Sequence, residues 1–410
     1  MKILMAADVS PLQEGSGAER VLREQAKELA RRGHEVHIFF RSGCDAPGGP
    51  TTWQGCRLHP YTVDRQAALP FFLSTIWNGG RSLRNLLKDW RPDIVNLHQP
   101  FTGLPLLLSW PGQRPAIVYT FLSPASAEYL RQPAVQDRLS RGLLARCWHE
   151  SVKSRLMRWV EGAVLRRARG IIVLSDFSKQ QLRSFHPHSS GISIRRIPGG
   201  VDTQRFSPAA DRSRLAKQLG LPEGKKILLT VRNLEPRCGV ENLLNAVAEL
   251  VKRRRDFLLL VAGQGPLFER LQATVESMNL SAVVQLLGFV PEQRLVDLYR
   301  VAELYVQPDT ELQGFGLTIV EALACGTPVL ATPVGGALET LASLSAESLF
   351  SNSEPQRMAR ELDHLLDDTE LLGCRSELRR FAESRFSWRS TVEQVERCFL
   401  EVIGQRQPGR

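Results

Sequence analysis

The 410-residue chain lacks the features that mark membrane-spanning, disulfide-rich and zinc-binding proteins. No apolar run approaches the roughly 20 residues that a membrane-spanning helix needs. The first apolar segment meets Asp8 too early for a signal peptide. The seven cysteines are odd in number and form no Cys-x-x-Cys pair, which favours reduced thiols over disulfides or structural zinc. We therefore expect a cytoplasmic protein.

Motifs for binding nucleic acid are also missing. The sequence has neither zinc-finger spacing nor an aromatic RNA-binding motif, so we expect no nucleic-acid partner. Positive charge is nevertheless concentrated in the first half. Residues 1–200 contain 28 Lys and Arg against 15 Asp and Glu, whereas the remainder contains 25 against 28. This asymmetry indicates anionic partners for the first half, namely phosphates, acidic substrates or a lipid surface.

A strand–helix alternation is present and occurs twice. The first series starts with a strand at 2–6, a helix at 18–32 and a strand at 35–40, and the second starts with a strand at 226–231. Further strands are expected at 93–97, 116–120, 170–174, 257–262, 284–287, 304–306 and 329–331. The pattern predicts an α/β protein with two doubly wound, Rossmann-like domains facing across a ligand-binding cleft.

The most informative stretch runs from Glu311 to Pro328. Gly314 and Gly316 directly precede a predicted helix, and Glu321 lies one turn inside it. The free N–H groups and positive dipole end of such a helix attract anions, while the carboxylate can accept hydrogen bonds from ribose hydroxyls. Gly335-Gly336 end the next strand and would line the same crevice. This predicts a nucleotide-sugar site; the alternative is a turn whose glycines serve only geometry.

A shorter glycine motif, Gly15-Ser16-Gly17, follows the first strand. It resembles part of a dinucleotide fingerprint, but Arg20 replaces the third glycine and no acid ends the second strand at Arg41. A nicotinamide enzyme is therefore the weaker interpretation. A backbone cradle for a phosphate or hydroxyl is the prediction that we keep.

Residues 141–169 predict a basic amphipathic helix in which Arg and Lys outnumber Glu. Two interpretations remain. The favoured one is a surface helix that packs its apolar stripe on the sheet. The alternative is an interfacial helix that gives the protein a peripheral contact with anionic lipid on the inner face of the membrane.

An ordered set of motifs along the chain resembles family 4 of the retaining glycosyltransferases. The motifs are Gly17–Glu19, Arg32–Val36, Val173–Ser178, Pro198–Asp202, Phe206–Pro208, Gly263–Pro266, Gly288–Val290, Gly314–Leu317, Glu321–Ala322, Gly326–Val329 and Gly335–Gly336. The resemblance implies the GT-B fold, with an acceptor domain at 1–205, a donor domain at 206–385 and a C-terminal helix at 386–410 that crosses back to the first domain. It also implies transfer of a sugar, with retention, from a nucleoside diphosphate sugar to a hydroxyl acceptor. This donor is a co-substrate, and no metal or other cofactor is expected.

The same resemblance assigns roles to individual residues. Glu321 would bind the ribose, and the amides of 314–317 would hold the diphosphate and sugar. With positions that replace family residues included, the donor-binding residues that we predict are Arg232, Asn233, Gly263, Gln264, Gly265, Val290, Gly314, Phe315, Gly316, Leu317 and Glu321. The residues expected at the acceptor or at a phosphate are Gly15, Ser16, Gly17 and Ser123.

Four positions depart from the family pattern. Asn233 and Cys238 stand where an Arg and a Lys are usual, Gln313 replaces a carboxylate, and Leu122 replaces a His. Residues that could substitute for the lost groups lie nearby. They are Arg232 and Arg237 for the cations, Glu311 for the carboxylate, and Asp8, Ser123 and Glu128 for the His. We name Gln313, Glu311 and Arg237 as the catalytic candidates.

The departures leave three hypotheses open. The first is an active transferase of front-face mechanism, without a covalent nucleophile, in which the leaving phosphate takes the acceptor proton. The second is a diverged, non-catalytic subunit that binds a sugar nucleotide and assists a partner. The third, least favoured, is a sugar-nucleotide epimerase of the same fold.

Overall fold

The computed structural model describes residues 1–13, 17–42, 51–64, 68–130, 144–311, 314–368 and 374–404. The chain divides into two compact units. Among the described residues, the first unit contains 1–199 and 388–404, and the second contains 200–387. Each unit is built on its own largely parallel sheet, which confirms the predicted α/β class with two parallel-sheet domains.

The strands of the described chain are numbered in sequence order. They are β1 (Lys2–Ala7), β2 (Glu35–Ser42), β3 (Thr51–Trp53), β4 (Cys56–Thr62), β5 (Ile94–Leu97), β6 (Ala116–Phe121), β7 (Gly170–Val173), β8 (Ser193–Arg196), β9 (Lys226–Val231), β10 (Phe257–Ala262), β11 (Val284–Gly288), β12 (Leu304–Gln307) and β13 (Val329–Ala331). The first sheet has the order β3-β4-β2-β1-β5-β6-β7-β8, and the second has the order β11-β10-β9-β12-β13. All recorded pairings are parallel except that of β3 with β4.

The helices are numbered in the same way. They are α1 (Gly17–Arg31), α2 (Ala68–Asp89), α3 (Gly103–Leu108), α4 (Ala125–Leu130), α5 (Leu144–Leu165), α6 (Asp176–Phe185), α7 (Arg212–Gln218), α8 (Val240–Leu250), α9 (Phe268–Ser277), α10 (Glu292–Val301), α11 (Leu317–Ala324), α12 (Gly336–Leu341), α13 (Pro355–Asp367), α14 (Arg375–Arg385) and α15 (Trp388–Gly404).

The central strands are apolar along their whole length because helices cover both faces of each sheet. Strand β1 buries five consecutive residues after Lys2, and all six residues of β10 are buried. A strand that is solvated on one face would alternate apolar with polar residues. The loops that follow these parallel strands therefore gather at the carboxyl edge of each sheet, where ligands of open α/β sheets bind.

The last helix, α15, belongs to the first unit. Its apolar face, including Val395 and Phe399, is fully buried in the same core as Ile3 of β1. At the rim of this contact Arg32 donates to Glu396 at 2.7 Å. Burial of the apolar face, rather than the partly exposed ion pair, accounts for most of the attachment.

Candidate functional site

The loops at the carboxyl edge of the second sheet are joined by backbone hydrogen bonds. The N–H of Leu234, after β9, donates to the carbonyl of Gln264, after β10, at 2.9 Å. The N–H of Thr310, after β12, donates to the carbonyl of Arg237 at 2.9 Å. The loops that carry most of the predicted donor-binding residues therefore form one connected surface.

Two of these glycines are required by close backbone packing. Gly263 has φ +140°, and a Cβ atom there would overlap the carbonyl oxygen of Arg232. A Cβ on Gly265 would lie 2.5 Å from the carbonyl oxygen of Leu234. Only glycine fits at either position without displacing the loop after β9. Between them, the side chain of Gln264 is exposed.

Helix α11 begins at a glycine with left-handed backbone, since Gly316 has φ +94°. The N-cap residue, Gly316, has no side chain that could cap the helix start. The glycine turn after β13 packs directly against it, because a Cβ on Gly336 would lie 2.5 Å from the carbonyl oxygen of Gly314 and 2.7 Å from the Cα of Phe315. The two glycine-rich strand ends thus lie side by side, as their strands β12 and β13 do. An uncapped helix start of this kind offers N–H groups to an anion.

Glu321 lies one turn inside α11 and is only 1% exposed. Its Oε2 accepts a hydrogen bond from the hydroxyl of Tyr299 on α10, with an O···O distance of 3.1 Å. Tyr299 is itself fully buried. The carboxylate is therefore held in a fixed position close to the uncapped helix start.

Arg232, one of the two predicted substitute cations, forms a buried ion pair with Asp309. Gln307 also donates to Asp309, with an N···O distance of 2.6 Å. Burial opposes the charge on Arg232, but the Asp309 carboxylate raises the pKa of the guanidinium above its ordinary value, so the group stays charged. Its charge is largely compensated within the protein. Asp309, directly after β12, is a buried polar residue of the site that the sequence analysis did not single out.

The second predicted cation, Arg237, donates from Nε to Glu235 at 2.9 Å, and its side chain is 16% exposed. Asn233 is exposed in the same loop. Cys238 is buried against Arg232, with an N···S distance of 3.7 Å, and burial raises the pKa of its thiol. Replacement of the usual Lys by Cys238 therefore leaves an apolar, uncharged group at this point.

The remaining donor-site predictions fall on exposed loops. Glu311 is exposed after β12, and Gln313 lies outside the described residues. Val290 is partly exposed after β11, and its neighbour Phe289 exposes 51% of its surface. An exposed aromatic ring beside the loop at Gln264 is a suitable surface for a nucleobase.

In the first unit, the acceptor predictions lie in loops at the carboxyl edge of the sheet. Gly17 is the first residue of α1, whereas Gly15 and Ser16 lie outside the described residues. Ser123 is half-buried between β6 and α4. Asp8, at the end of β1, is buried and accepts from the backbone N–H of Thr102 at 2.6 Å, so it fixes the loop after β5.

Arg41 lies near the end of β2, where the sequence lacks the acidic residue that a dinucleotide-binding strand would have. Its guanidinium lies 5.0 Å from the centre of the Phe71 ring and 5.9 Å from that of Phe101. Among the described residues, its buried Nε and Nη1 atoms have no hydrogen-bond partner. A cation with unused donors at this edge suits an anionic group on a substrate. An Arg directly after the apolar residues of the strand was the available signal.

The described residues contain no group of three or more His, Cys, Asp or Glu side chains placed to hold a metal ion. No helix in the same residues has the length and apolar character needed to cross a membrane.

The architecture defines a class of protein. Sucrose-phosphate synthase from Thermosynechococcus elongatus superposes with a TM-score of 0.80 at 22% identity, covering 98% of this chain and all of that one. Anabaena Alr3699/HepE, solved in complex with UDP-glucose, superposes with a TM-score of 0.72 at 19% identity and equal coverage. The fold is therefore that of the GT-B glycosyltransferases, as predicted.

Two sequence families match, one on each half of the chain. Residues 15–205 match Glycosyltransferase Family 4, and residues 211–384 match Glycosyl transferases group 1. Together the two models match most of the chain and show that it is a glycosyltransferase, with its first half matching family 4.

Among relatives, the D-inositol 3-phosphate glycosyltransferase of Segniliparus rotundus is 27% identical over 93% of this chain and 83% of its own length. The enzyme of the same name from Corynebacterium jeikeium is 32% identical over 58% of this chain, and the match spans 60% of that relative.

Proposed function

We propose that the protein is a retaining transferase that moves a hexose-like group from a nucleoside diphosphate sugar to a hydroxyl acceptor, without a metal. The observation that carries this proposal is the uncapped start of α11 at Gly316, packed against Gly336, with buried Glu321 one turn further on. The diphosphate would occupy the helix start, and the ribose hydroxyls would donate to Glu321.

The chemistry requires charge stabilisation more than a nucleophile. As the bond from the anomeric carbon to the diphosphate oxygen breaks, negative charge develops on the leaving group. The N–H groups at the start of α11 would stabilise that charge. The acceptor oxygen attacks from the same face, and its proton passes to the leaving phosphate oxygen. No covalent intermediate with the protein is needed, and the anomeric configuration is retained.

The other donor contacts are proposed from the loops around the helix start. Phe289 and Val290 would contact the base together with the loop Gly263–Gly265. Asn233 would replace the usual Arg as a neutral donor to the phosphates. Arg237 is less buried than Arg232 and is the cation that we expect to reach the diphosphate. Glu311 and Gln313 would face the transferred sugar.

For the acceptor, we propose a hydroxyl compound that carries negative charge. The first half of the chain has an excess of basic residues, and Arg41 keeps buried donors without a partner at the carboxyl edge. Two relatives are named as D-inositol 3-phosphate glycosyltransferases, which supports the same choice. Gly17 and Ser123, with Gly15 and Ser16, would contact this acceptor or its phosphate.

A second candidate is a subunit that binds a sugar nucleotide without transferring it. The pairing of Arg232 with Asp309 and of Arg237 with Glu235 favours this candidate, because both cations are already compensated. The two candidates are separated by incubating the protein with a panel of nucleoside diphosphate sugars. Slow hydrolysis of one donor, abolished in Glu321→Ala, supports the transferase. Saturable binding without turnover of any donor, with or without acceptor, supports the subunit.

We further propose that the protein acts at the cytoplasmic face of an anionic membrane as a peripheral protein. Helix α5 exposes Val152, Leu156 and Trp159 at helical spacing, and Arg155 lies between them. Apolar side chains flanked by cations suit the boundary of an anionic bilayer. Co-sedimentation with vesicles containing phosphatidylglycerol tests this, and Trp159→Ser should weaken it. Equal recovery of both proteins in the supernatant would contradict it.

A further inference from the structure

A cavity of about 460 Å³ lies in the first unit. It is lined by the C-terminal half of α5 and by residues of the segment 184–192. Helix α5 ends at Leu165 just before β7 begins, and α6 ends at Phe185 just before β8 begins. The helix ends therefore place the cavity at the amino edge of the sheet, opposite the loops that carry Gly17 and Ser123. Its volume is typical of a small-molecule site.

The lining of this cavity is strongly cationic. Arg155, Arg158 and Arg166 contribute to it, and in the described chain none of the three has a carboxylate within ion-pair distance. The guanidinium of Arg158 is oriented in advance, since its Nε donates to the carbonyl of Phe185 at 3.0 Å and the group lies 5.3 Å from the centre of the Phe185 ring. Unpaired guanidinium groups around a cavity repel one another unless an anion joins them.

The floor of the cavity is open because residue 162 is a glycine. A Cβ atom on Gly162 would lie 3.6 Å from Nη1 of Arg166 and 3.6 Å from Nδ1 of His186. His186 is held by Glu161, with an N···O distance of 2.9 Å, and Glu161 is fixed in turn by the hydroxyl of Tyr119 at 3.0 Å. The nearby buried carboxylate is therefore already engaged, and the nitrogens of Arg166 and His186 face the space above the glycine.

The cavity also has an apolar side. Trp159 exposes 61% of its surface at the rim, and Leu165, Phe185 and Ile192 line the interior. A free inorganic anion would use only the cations, whereas the ring and the aliphatic groups provide contact for the carbon part of a ligand.

We propose that this cavity binds the phosphate group of an amphipathic phosphate ester, held by Arg155, Arg158 and Arg166 beside the Trp159 ring. The cavity lies at the opposite edge of the first sheet from the acceptor loops that carry Gly17 and Ser123. The same phosphate chemistry is offered by a soluble ester and by a phospholipid headgroup, and the experiment below distinguishes the two sources.

The test is titration calorimetry of the full-length protein at low salt with inorganic phosphate and with glycerol 3-phosphate, together with flotation on vesicles of phosphatidylcholine containing phosphatidic acid. Arg166→Ala should weaken binding at least about tenfold, the loss expected for one hydrogen bond to a charged group. Gly162→Ala should also weaken it by filling the floor. Alanine favours a helix more than glycine does, so the thermal midpoint of this variant should not fall.

Arg360→Ala, which removes one exposed cation from α13 in the other unit, is the matched control and should bind as the parent does. Binding of glycerol 3-phosphate that is weakened in both cavity variants identifies a soluble ester as the ligand. If Arg166→Ala and Gly162→Ala weaken binding only to the vesicles, the ligand is a lipid headgroup. The proposal is overturned if no probe binds, or if Arg166→Ala and Gly162→Ala bind every probe as tightly as Arg360→Ala does.

Discussion

Glu321 offers the sharpest prediction, because the proposed function and the structure assign it two separable tasks. Its carboxylate would accept the ribose hydroxyls, and it already accepts the hydroxyl of the buried Tyr299 at 3.1 Å. A hydrogen bond to a charged group contributes about 1.5–3 kcal/mol. Glu321→Ala should therefore weaken the affinity for a nucleoside diphosphate by about 10-fold to 150-fold per ribose bond lost.

The same substitution should lower the free energy of unfolding by about 1–3 kcal/mol, because it removes the carboxylate that accepts from the buried Tyr299 hydroxyl. Two further variants separate the tasks. Glu321→Gln keeps an oxygen for Tyr299, so it should restore most of the stability and only part of the affinity. Tyr299→Phe removes the hydroxyl and should leave the affinity nearly unchanged.

Calorimetric titration with UDP, GDP and ADP measures the affinities, and denaturant titration measures the stabilities. Equal nucleotide affinity in the parent protein and in folded Glu321→Ala would refute the ribose assignment. An equal loss of affinity in Tyr299→Phe would show that the effect of Glu321→Ala passes through packing alone.

Three other predictions follow from particular contacts. Arg237→Ala should bind UDP about tenfold more weakly and uridine as tightly as the parent does, because only the diphosphate would contact the Arg237 guanidinium. An equal loss of affinity for both ligands would contradict this assignment. Gly263→Ala, at φ +140°, should lower the thermal midpoint, because its Cβ would overlap the carbonyl of Arg232. Gly224→Ala is the control for a positive φ without a clash, since Gly224 has φ +75° and a Cβ there meets no atom within 4 Å. Burial lowers the pKa of His98 to about 3, so the neutral ring contributes stability above pH 6.5 that is lost as the pH falls towards 3. His98→Gln should therefore reduce the loss of unfolding free energy between pH 7 and pH 5 by about 2 kcal/mol. An unchanged loss in that variant would contradict this prediction.

The sequence predicted the strands of both sheets best where they are buried on both faces. Strands such as β1, β9 and β10 appear as uninterrupted apolar runs, and their positions agree with the structure to within a residue. Strands β4 and β8 were not predicted from the sequence. Strand β4 contains Pro60, which has no N–H for a ladder, and β8 ends in the exposed pair Arg195-Arg196. Neither has the pattern of a buried strand.

The parts of the candidate site that depend on local backbone geometry could be predicted from the sequence. Gly314, Gly316 and Glu321 could be placed from the sequence, because a glycine turn before a helix fixes where the N–H groups and the next carboxylate lie. The partner of Arg232 could not, because the ion pair with Asp309 joins loops 77 residues apart. Which cation remains available to a phosphate depends on such pairing between distant residues, and the spacing of residues in the sequence does not predict this pairing.

The most direct test is a crystal structure of the protein with an intact nucleoside diphosphate sugar. We expect the diphosphate to lie at the amides of 314–317, the ribose hydroxyls within hydrogen-bond distance of Glu321, and the base beside Phe289. A donor bound elsewhere on the second unit, or a side chain filling the space at the start of α11 under saturating donor, would contradict it.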